Sequence, residues 1–163
     1  MKLNIIVPII IIIFSNCSNR ANQENNNVID RTADEEAIHS LLTTNWAAAS
    51  AQNAKGVAET FLPDADVWIT GMPQRITGLD EIEHAEEGFG GIPGFQRYEG
   101  RIESIRFIST DAAIVETSAK TILDTGSFEE EVTIVVARSG SNWRIAAWRV
   151  MIFDKKLLDM WLR

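Results

Sequence analysis

Two hydrophobic rhythms run along the chain, and a glycine-rich stretch near residue 90 separates them. From about residue 32 to residue 52 the apolar positions recur at helical spacing. Ile38, Leu42 and Ala49 share a face at i, i+4 and i+11, and Trp46 extends it. The segment holds neither Gly nor Pro, so it predicts a long amphipathic helix. Thr32 with Glu35 three residues later reads as a capping box, with Asp34 as the alternative cap. A short second helix is predicted over residues 54–61, stopped by Pro63. Asp66-Val67-Trp68-Ile69-Thr70 reads as a strand, turned by Gly71-Met72-Pro73. A third helix opens at Gly78-Leu79-Asp80, carries Ile82 and ends near Gly88. Residues 88–94 hold four glycines and a proline and predict a loop, read as a mobile rim or lid.

Beyond Gly94 the period becomes two. Residues 101–108, 113–123, 131–138 and 143–153 predict four strands joined by separators of hairpin length. Helices first and hairpins after predict an α+β fold, with helices on one face of a mostly antiparallel sheet. Leu157, Leu158, Trp161 and Leu162 suggest a short apolar C-terminal helix or cap. No internal repeat is present.

The N-terminus has a different character. Lys2 precedes an apolar run over residues 5–14, broken only by Pro8. Ten residues cannot cross a bilayer core of ~30 Å, but they suit the apolar core of a signal peptide. Phe14-Ser15-Asn16-Cys17 resembles a bacterial lipobox, with Asn16 and Phe14 departing from the usual Gly or Ala and Leu. Cys17 is the chain's only cysteine. Its thiol would take the diacylglycerol and its freed α-amine a further acyl chain, and several chains give stable anchoring. Residues 1–17 are therefore expected to be a signal peptide with lipobox, and residues 18–31 a flexible polar tether. Residues 32–163 are expected to form one domain. The expected location is the bacterial cell envelope, lipid-anchored; secretion after ordinary cleavage is the alternative.

Composition narrows the partners. The 163 residues carry 15 Lys and Arg against 23 Asp and Glu, a formal charge of −8, with no basic patch to suit a nucleic-acid backbone. One Cys makes neither an internal disulfide nor a Cys-based zinc site, and only His39 and His84 are available as imidazole ligands. No metal and no cofactor is expected. Gly88-Phe89-Gly90 is no dinucleotide fingerprint, because it follows a helix and leads to Pro93.

The order of elements, with Phe61-Leu62-Pro63-Asp64-Ala65-Asp66-Val67, Gly78 before the third helix and Asn142-Trp143-Arg144-Ile145-Ala146-Ala147-Trp148, resembles the nuclear transport factor 2-like, or SnoaL-like, superfamily. The likeness covers about residues 34–152 and is nearest to the bacterial SgcJ/EcaC-type group. It implies a cone: a strongly bent sheet wrapped on the first helix, with an apolar pocket at the wide end. Members include isomerases, dehydratases, hydrolases and non-catalytic binding or assembly domains, so the fold alone does not settle function. The enzymes use pocket carboxylates, His and Tyr as acids and bases. The ketosteroid isomerase pattern is not carried over. Its Tyr would fall near Ala47 or Ala48 and its first Asp near Ile69, and the third strand shows Glu116 where an Asp is required.

Several residues remain as candidates. Strand parity puts Ile114, Glu116, Ser118 and Lys120 on one face. If that face lines the cone, Glu116 is a pocket carboxylate and a candidate general base; if not, it sits on the solvated face. His84 is a weaker candidate, about 200° around its helix from Ile82, whose partner four residues on is Glu86. His39 reads as surface or rim. Trp46, Trp68 and Trp148 fall on three elements that the family fold brings together, flanked by Phe61, Phe89 and Tyr98. Each is core material taken alone; together they suggest a ring-lined cavity for a flat hydrophobic ligand, with Trp46, Trp68, Tyr98 and Trp148 as contacts. Trp143 reads as structural, and Asp64 and Asp66 as turn caps. Three functions stay open: a pocket domain binding a small hydrophobic molecule, an isomerase, lyase or hydrolase using Glu116, or a homodimeric assembly module pairing through the outer sheet face.

Overall fold

In the computed structural model the change of period becomes a change of layer, from helices to a long meander. The structure describes residues 30–152. The signal segment, Cys17, most of the tether and the apolar stretch at Leu157, Leu158, Trp161 and Leu162 lie outside the described residues.

Helix α1 spans Thr32–Ser50 and buries Ile38, Leu42, Asn45 and Ala49. Ile38, Leu42 and Ala49 form the expected face, but the polar Asn45 at i+7, and not Trp46, is its fourth buried member. Ile38 and Leu42 are fully buried, and truncating such a side chain to Ala costs about 2–5 kcal/mol. The expected capping box does not form. Arg31 occupies the cap position without a side-chain bond, while Asp30 Oδ1 accepts from the Thr32 amide and hydroxyl at 3.0 and 2.7 Å. Asp34 turns outward to tie the helix to the sheet. It pairs with Arg31 at 3.1 Å and with Arg138, and it accepts from Trp143 Nε1 at 3.3 Å. Helix α2 is short, Ala54–Ala58, with the Asn53 side chain accepting from the Gly56 amide.

Strand β1 spans Phe61–Ile69, so it starts five residues before the expected strand and takes Phe61 out of the second helix. Strand β6, Asn142–Ile152, runs parallel to it and claims that segment: the Ile145 amide donates to the Thr60 carbonyl, and Phe61 pairs with Ile145. Pro63 lies where the β1–β6 register breaks, between Phe61 and Asp66, as a residue without an amide hydrogen must. The two-residue β2, Ile76–Thr77, covers the other edge of β1. Helix α3 then runs over Leu79–Gly90, burying Ile82.

The lid expected over residues 88–94 is helix in its first three residues and a tight turn in its last four. Gly88, Phe89 and Gly90 complete α3, and only residues 91–94 turn the chain. Phe89 lies seven residues after Ile82, on the same face. Its ring packs edge-on to Phe95 and Tyr98 at 5.3 and 6.0 Å between centroids. Such ring pairs are worth about 0.5–1.5 kcal/mol beyond area burial, which offsets the helical cost of a glycine, roughly 1 kcal/mol. Gln52 Nε2 donates to the Gly90 carbonyl and closes the helix end.

Three long strands complete the sheet: β3 Phe95–Phe107, β4 Ala112–Leu123 and β5 Gly126–Ser139, which with β6 form an antiparallel meander. The order is β2-β1-β6-β5-β4-β3, with β1–β6 the parallel neighbours. The expected α+β fold, N-terminal helices on a curved and mostly antiparallel sheet, is the observed one. Three extra residues bend the sheet and reset its side-chain parity, the first of them Gln96 between Phe95 and Arg97 at the start of β3. Glu103 is bulged out between Ile102 and Ser104 of β3, and Ala146 between Ile145 and Ala147 of β6. Gly140, at φ 63°, opens the two-residue β5–β6 turn in a conformation that suits glycine.

Candidate functional site

Between the three helices and the concave sheet face lies a cavity of about 60 Å³. It holds roughly four waters, at ~10–15 Å³ each on this measure. Phe61, Phe89 and Trp148 give it apolar, ring-lined walls. Asn45, Glu86, Tyr98 and Glu130 give it polar groups.

Local structure places each polar group. Asn45 belongs to the buried stripe of α1 and donates from Nδ2 to Thr60 Oγ1 at 2.9 Å; that hydroxyl in turn donates to the Val57 carbonyl at 2.6 Å. Glu86 stands one helical turn after Ile82 on α3. Tyr98 is pinned to the end of α1 by Ser50, whose hydroxyl donates to the Tyr98 carbonyl at 2.6 Å and accepts from its amide at 3.0 Å. Glu130 follows from alternation in β5, where Phe128, Glu130, Val132, Ile134 and Val136 all point inward.

This environment perturbs the ionisable groups strongly. Burial raises Glu86 to about 7, and the charge of Glu130 adds to the effect. Burial also raises Glu130 to about 7, against a hydrogen bond from Tyr98 that favours its ionised form. The Tyr98 phenol goes up as well, through burial, the Glu130 charge and its own bond to that carboxyl. Two carboxyls in one apolar cavity titrate as a pair, so near neutrality they hold a proton that exposed glutamates would have lost. Among the described residues no group of three or more His, Cys, Asp and Glu side chains is placed to hold a metal ion.

The cavity brings together part of the expected constellation. Trp148 and Tyr98 line it, with Phe61 and Phe89 beside them. Trp46 is half-buried but does not line it. Its ring lies across Gly100 of β3, so close that a Cβ there would come within 2.2 Å of the indole, and its buried Nε1 has no hydrogen-bond partner among the described residues. Trp68 alternates with the inward Val67 and so falls on the opposite face of β1.

Glu116 is on the outer face. Val115, Thr117 and Ala119 take the buried parity of β4, and exposed Glu116 accepts from Thr133 Oγ1 at 2.7 Å. Its role as a pocket base is thereby corrected. The His84 side chain is 88% exposed, beside Glu87 at 3.4 Å, and is corrected likewise. His39 and Asp64 are exposed. Asp66 is no turn cap but the centre of an outer-face ion cluster, bonded twice by Arg149 at 2.9 and 2.8 Å and once by Arg75 at 2.7 Å. Trp143 is buried and structural, as expected.

Of the cavity's polar groups Tyr98 was expected, whereas Asn45, Glu86 and Glu130 escaped the sequence reading, although a signal existed for the two acids. Glu86 shares the Ile82 face by its spacing, and extending the period of two back from Val132 reaches Glu130.

Residues 30–149 match the SnoaL-like domain. The chain belongs to the SnoaL-like domain family. No curated relative matches the sequence. Solved structures share the fold of this SnoaL-like domain at low identity. One is a domain of unknown function with a cystatin-like fold from Nostoc punctiforme, 22% identical over 80% of this chain and 84% of that one, with a TM-score of 0.67. Another is an NTF-2-like protein of unknown function from Shewanella oneidensis, 15% identical over 72% and 98%, TM-score 0.63. A third is a ketosteroid isomerase-like protein from Erwinia carotovora atroseptica, 15% identical over 76% and 98%, TM-score 0.66. At these identities the likeness is one of fold.

Proposed function

We propose that this SnoaL-like domain binds a small molecule in the cavity beneath α3, and that it does so at the bacterial envelope on a lipid tether attached to Cys17. The cavity carries the reading. It combines ring-lined apolar walls with two carboxyls, buried Glu130 and half-buried Glu86, that form no ion pair among the described residues. Drawing two carboxyls out of water into an apolar space, Glu130 fully and Glu86 in part, costs free energy, and binding sites are where such a cost is commonly found. The ligand is compact rather than the flat, extended hydrophobe the tryptophan pattern suggested, since the space suits only a few heavy atoms. Each 100 Å² of apolar surface it buries contributes about 2.5 kcal/mol before entropy costs. Native mass spectrometry of the protein from its own host tests the reading, with Trp148 fluorescence titrated against small polar and apolar compounds. A retained mass or a saturable change, lost in Trp148→Ala, supports it. A uniformly silent panel with no retained mass refutes it.

A second reading rests on the same carboxyls. Two acids near neutrality can act as a general base and a general acid, so proton transfer at a bound carbon acid is within reach of Glu86 and Glu130. Solvent deuterium uptake into a bound compound, abolished in Glu130→Gln, would establish it. Within the family, the Asn142–Trp148 phrase favours the SgcJ/EcaC-type group. Pairing of two copies through the outer sheet face is testable by sedimentation.

A further inference from the structure

Resting on the small-molecule reading above, we infer that the cavity receives the ammonium group of a small organic amine, held by Asn45, Glu86 and Glu130 against the rings of Phe61 and Trp148. The hydrogen-bond inventory of the cavity carries this. Thr60 spends its hydroxyl proton on the Val57 carbonyl, so it can only accept from Asn45, and that fixes Nδ2 as the atom facing Thr60. The Asn45 Oδ1 is left with no donor among the described residues, on a residue only 3% exposed that lines the cavity. This acceptor is independent of the two acids. Tyr98 spends its phenolic proton on Glu130. Glu86 has no hydrogen-bond or ion-pair partner among the described residues. Once the carboxyls are ionised, the cavity presents acceptors on three elements, two of them negatively charged, against one unspent amide N–H, the second on Asn45 Nδ2.

That inventory selects the ligand's chemistry. A carboxylate or phosphate would meet like charge. A neutral carbonyl could take the second Asn45 N–H but would bring no charge to balance the two carboxylates. A primary ammonium brings three N–H donors and one positive charge to acceptors that lack both, and its alkyl stem fits the apolar wall. The ring faces add attraction for a cation. The titratable groups facing the cavity are Glu86 from α3, Glu130 from β5 and Tyr98 from β3. Among the described residues the walls from α1, α2, β1 and β6 add no ionisable side chain, and no Lys, Arg or His lines the cavity. The volume limits the stem to a few carbons.

Isothermal titration of the full-length chain with n-propylammonium, n-propanol and propionate tests the assignment. The expected result is saturable binding of the amine, at least about tenfold tighter than the alcohol, and no binding of the acid. Occupation displaces the retained proton, so amine affinity rises on the order of tenfold or more from about pH 5.5 to about pH 8. Buffers of different ionisation enthalpy read that proton directly, with no variant needed. Glu86→Gln and Glu130→Gln, checked for folding by circular dichroism, each weaken the amine at least about tenfold at the higher pH. Equal or tighter binding of propanol or propionate, or amine affinity that does not rise with pH, overturns the amine assignment while leaving a binding pocket in place. Silence of all three probes together with a silent Trp148 signal overturns the pocket reading as well.

Discussion

Replacing Glu130 with Gln should make the protein more stable at alkaline pH and leave it nearly unchanged in acid. In the folded chain Glu130 titrates near 7 because burial penalises its charge, against an ordinary 4.5. The folded state thus holds a proton that the unfolded chain has lost. Below the ordinary value both states are protonated and the group costs nothing. As pH rises through 4.5 toward 7 the folded state loses stability, and above 7 the full penalty is in place. That difference corresponds to about 3 kcal/mol. Glu86 titrates in the same window for the same first reason, burial, and its coupling to Glu130 means the two penalties are not simply additive. Gln keeps an acceptor for the Tyr98 phenol and removes the charge. Glu130→Gln should therefore gain about 2–3 kcal/mol at about pH 8 and within roughly 0.5 kcal/mol of nothing at about pH 4.5. Denaturant titrations of both proteins across that range measure it. Wild-type stability that is flat or rising from about pH 5 to pH 8, or a variant gain that does not depend on pH, would refute the argument. At the acid end the sign reverses. Asp34 and Asp66 are partly desolvated, which alone would raise them, but hydrogen bonds from Trp143, Arg31 and Arg138, and from Arg149 and Arg75, hold both below the ordinary range. Their contribution is present above that range and lost as pH falls through it.

Three further outcomes follow from particular contacts. Gly100→Val should destabilise the fold by about 2–4 kcal/mol in urea, because its Cβ would collide with the Trp46 ring, which is wedged between α1 and β3. Glu116→Gln should leave ligand affinity unchanged and stability within about 0.5 kcal/mol, since the side chain is exposed on the outer face; a clear loss of binding would contradict its placement. Labelling with a palmitate analogue should be strong in the wild-type chain and absent in Cys17→Ala, and equal labelling would remove the lipid tether from the proposal.

The stripe of Ile38, Leu42 and Ala49, the change of period after Gly94 and the hairpin-length separators were legible in the sequence because they rest on local repeats: 3.6 residues per turn and alternation along a strand. They specify helices, strands and an α+β class without knowledge of what touches what. Boundaries that depend on a distant partner were not legible. Phe61 reads as helix until β6 pairs with it, and Gly88 and Gly90 read as loop until Phe89 packs on Phe95 and Tyr98. The site shows the same division more sharply. Strict alternation from Trp143 and Ile145 would send Trp148 outward, and the extra residue at Ala146 turns it in. Alternation alone could not say which face of β4 is buried, so Glu116 could stand inside or out; the burial of Val115 and Thr117 in the folded sheet decides it. Glu86 and Glu130 are far apart in the chain and unremarkable in composition. Only the closure of α3 over the concave sheet puts them in one apolar space, and only the loss of water there lifts their pKa values toward neutrality. Periodicity is a property of the chain; desolvation and the meeting of two charges belong to the assembled core.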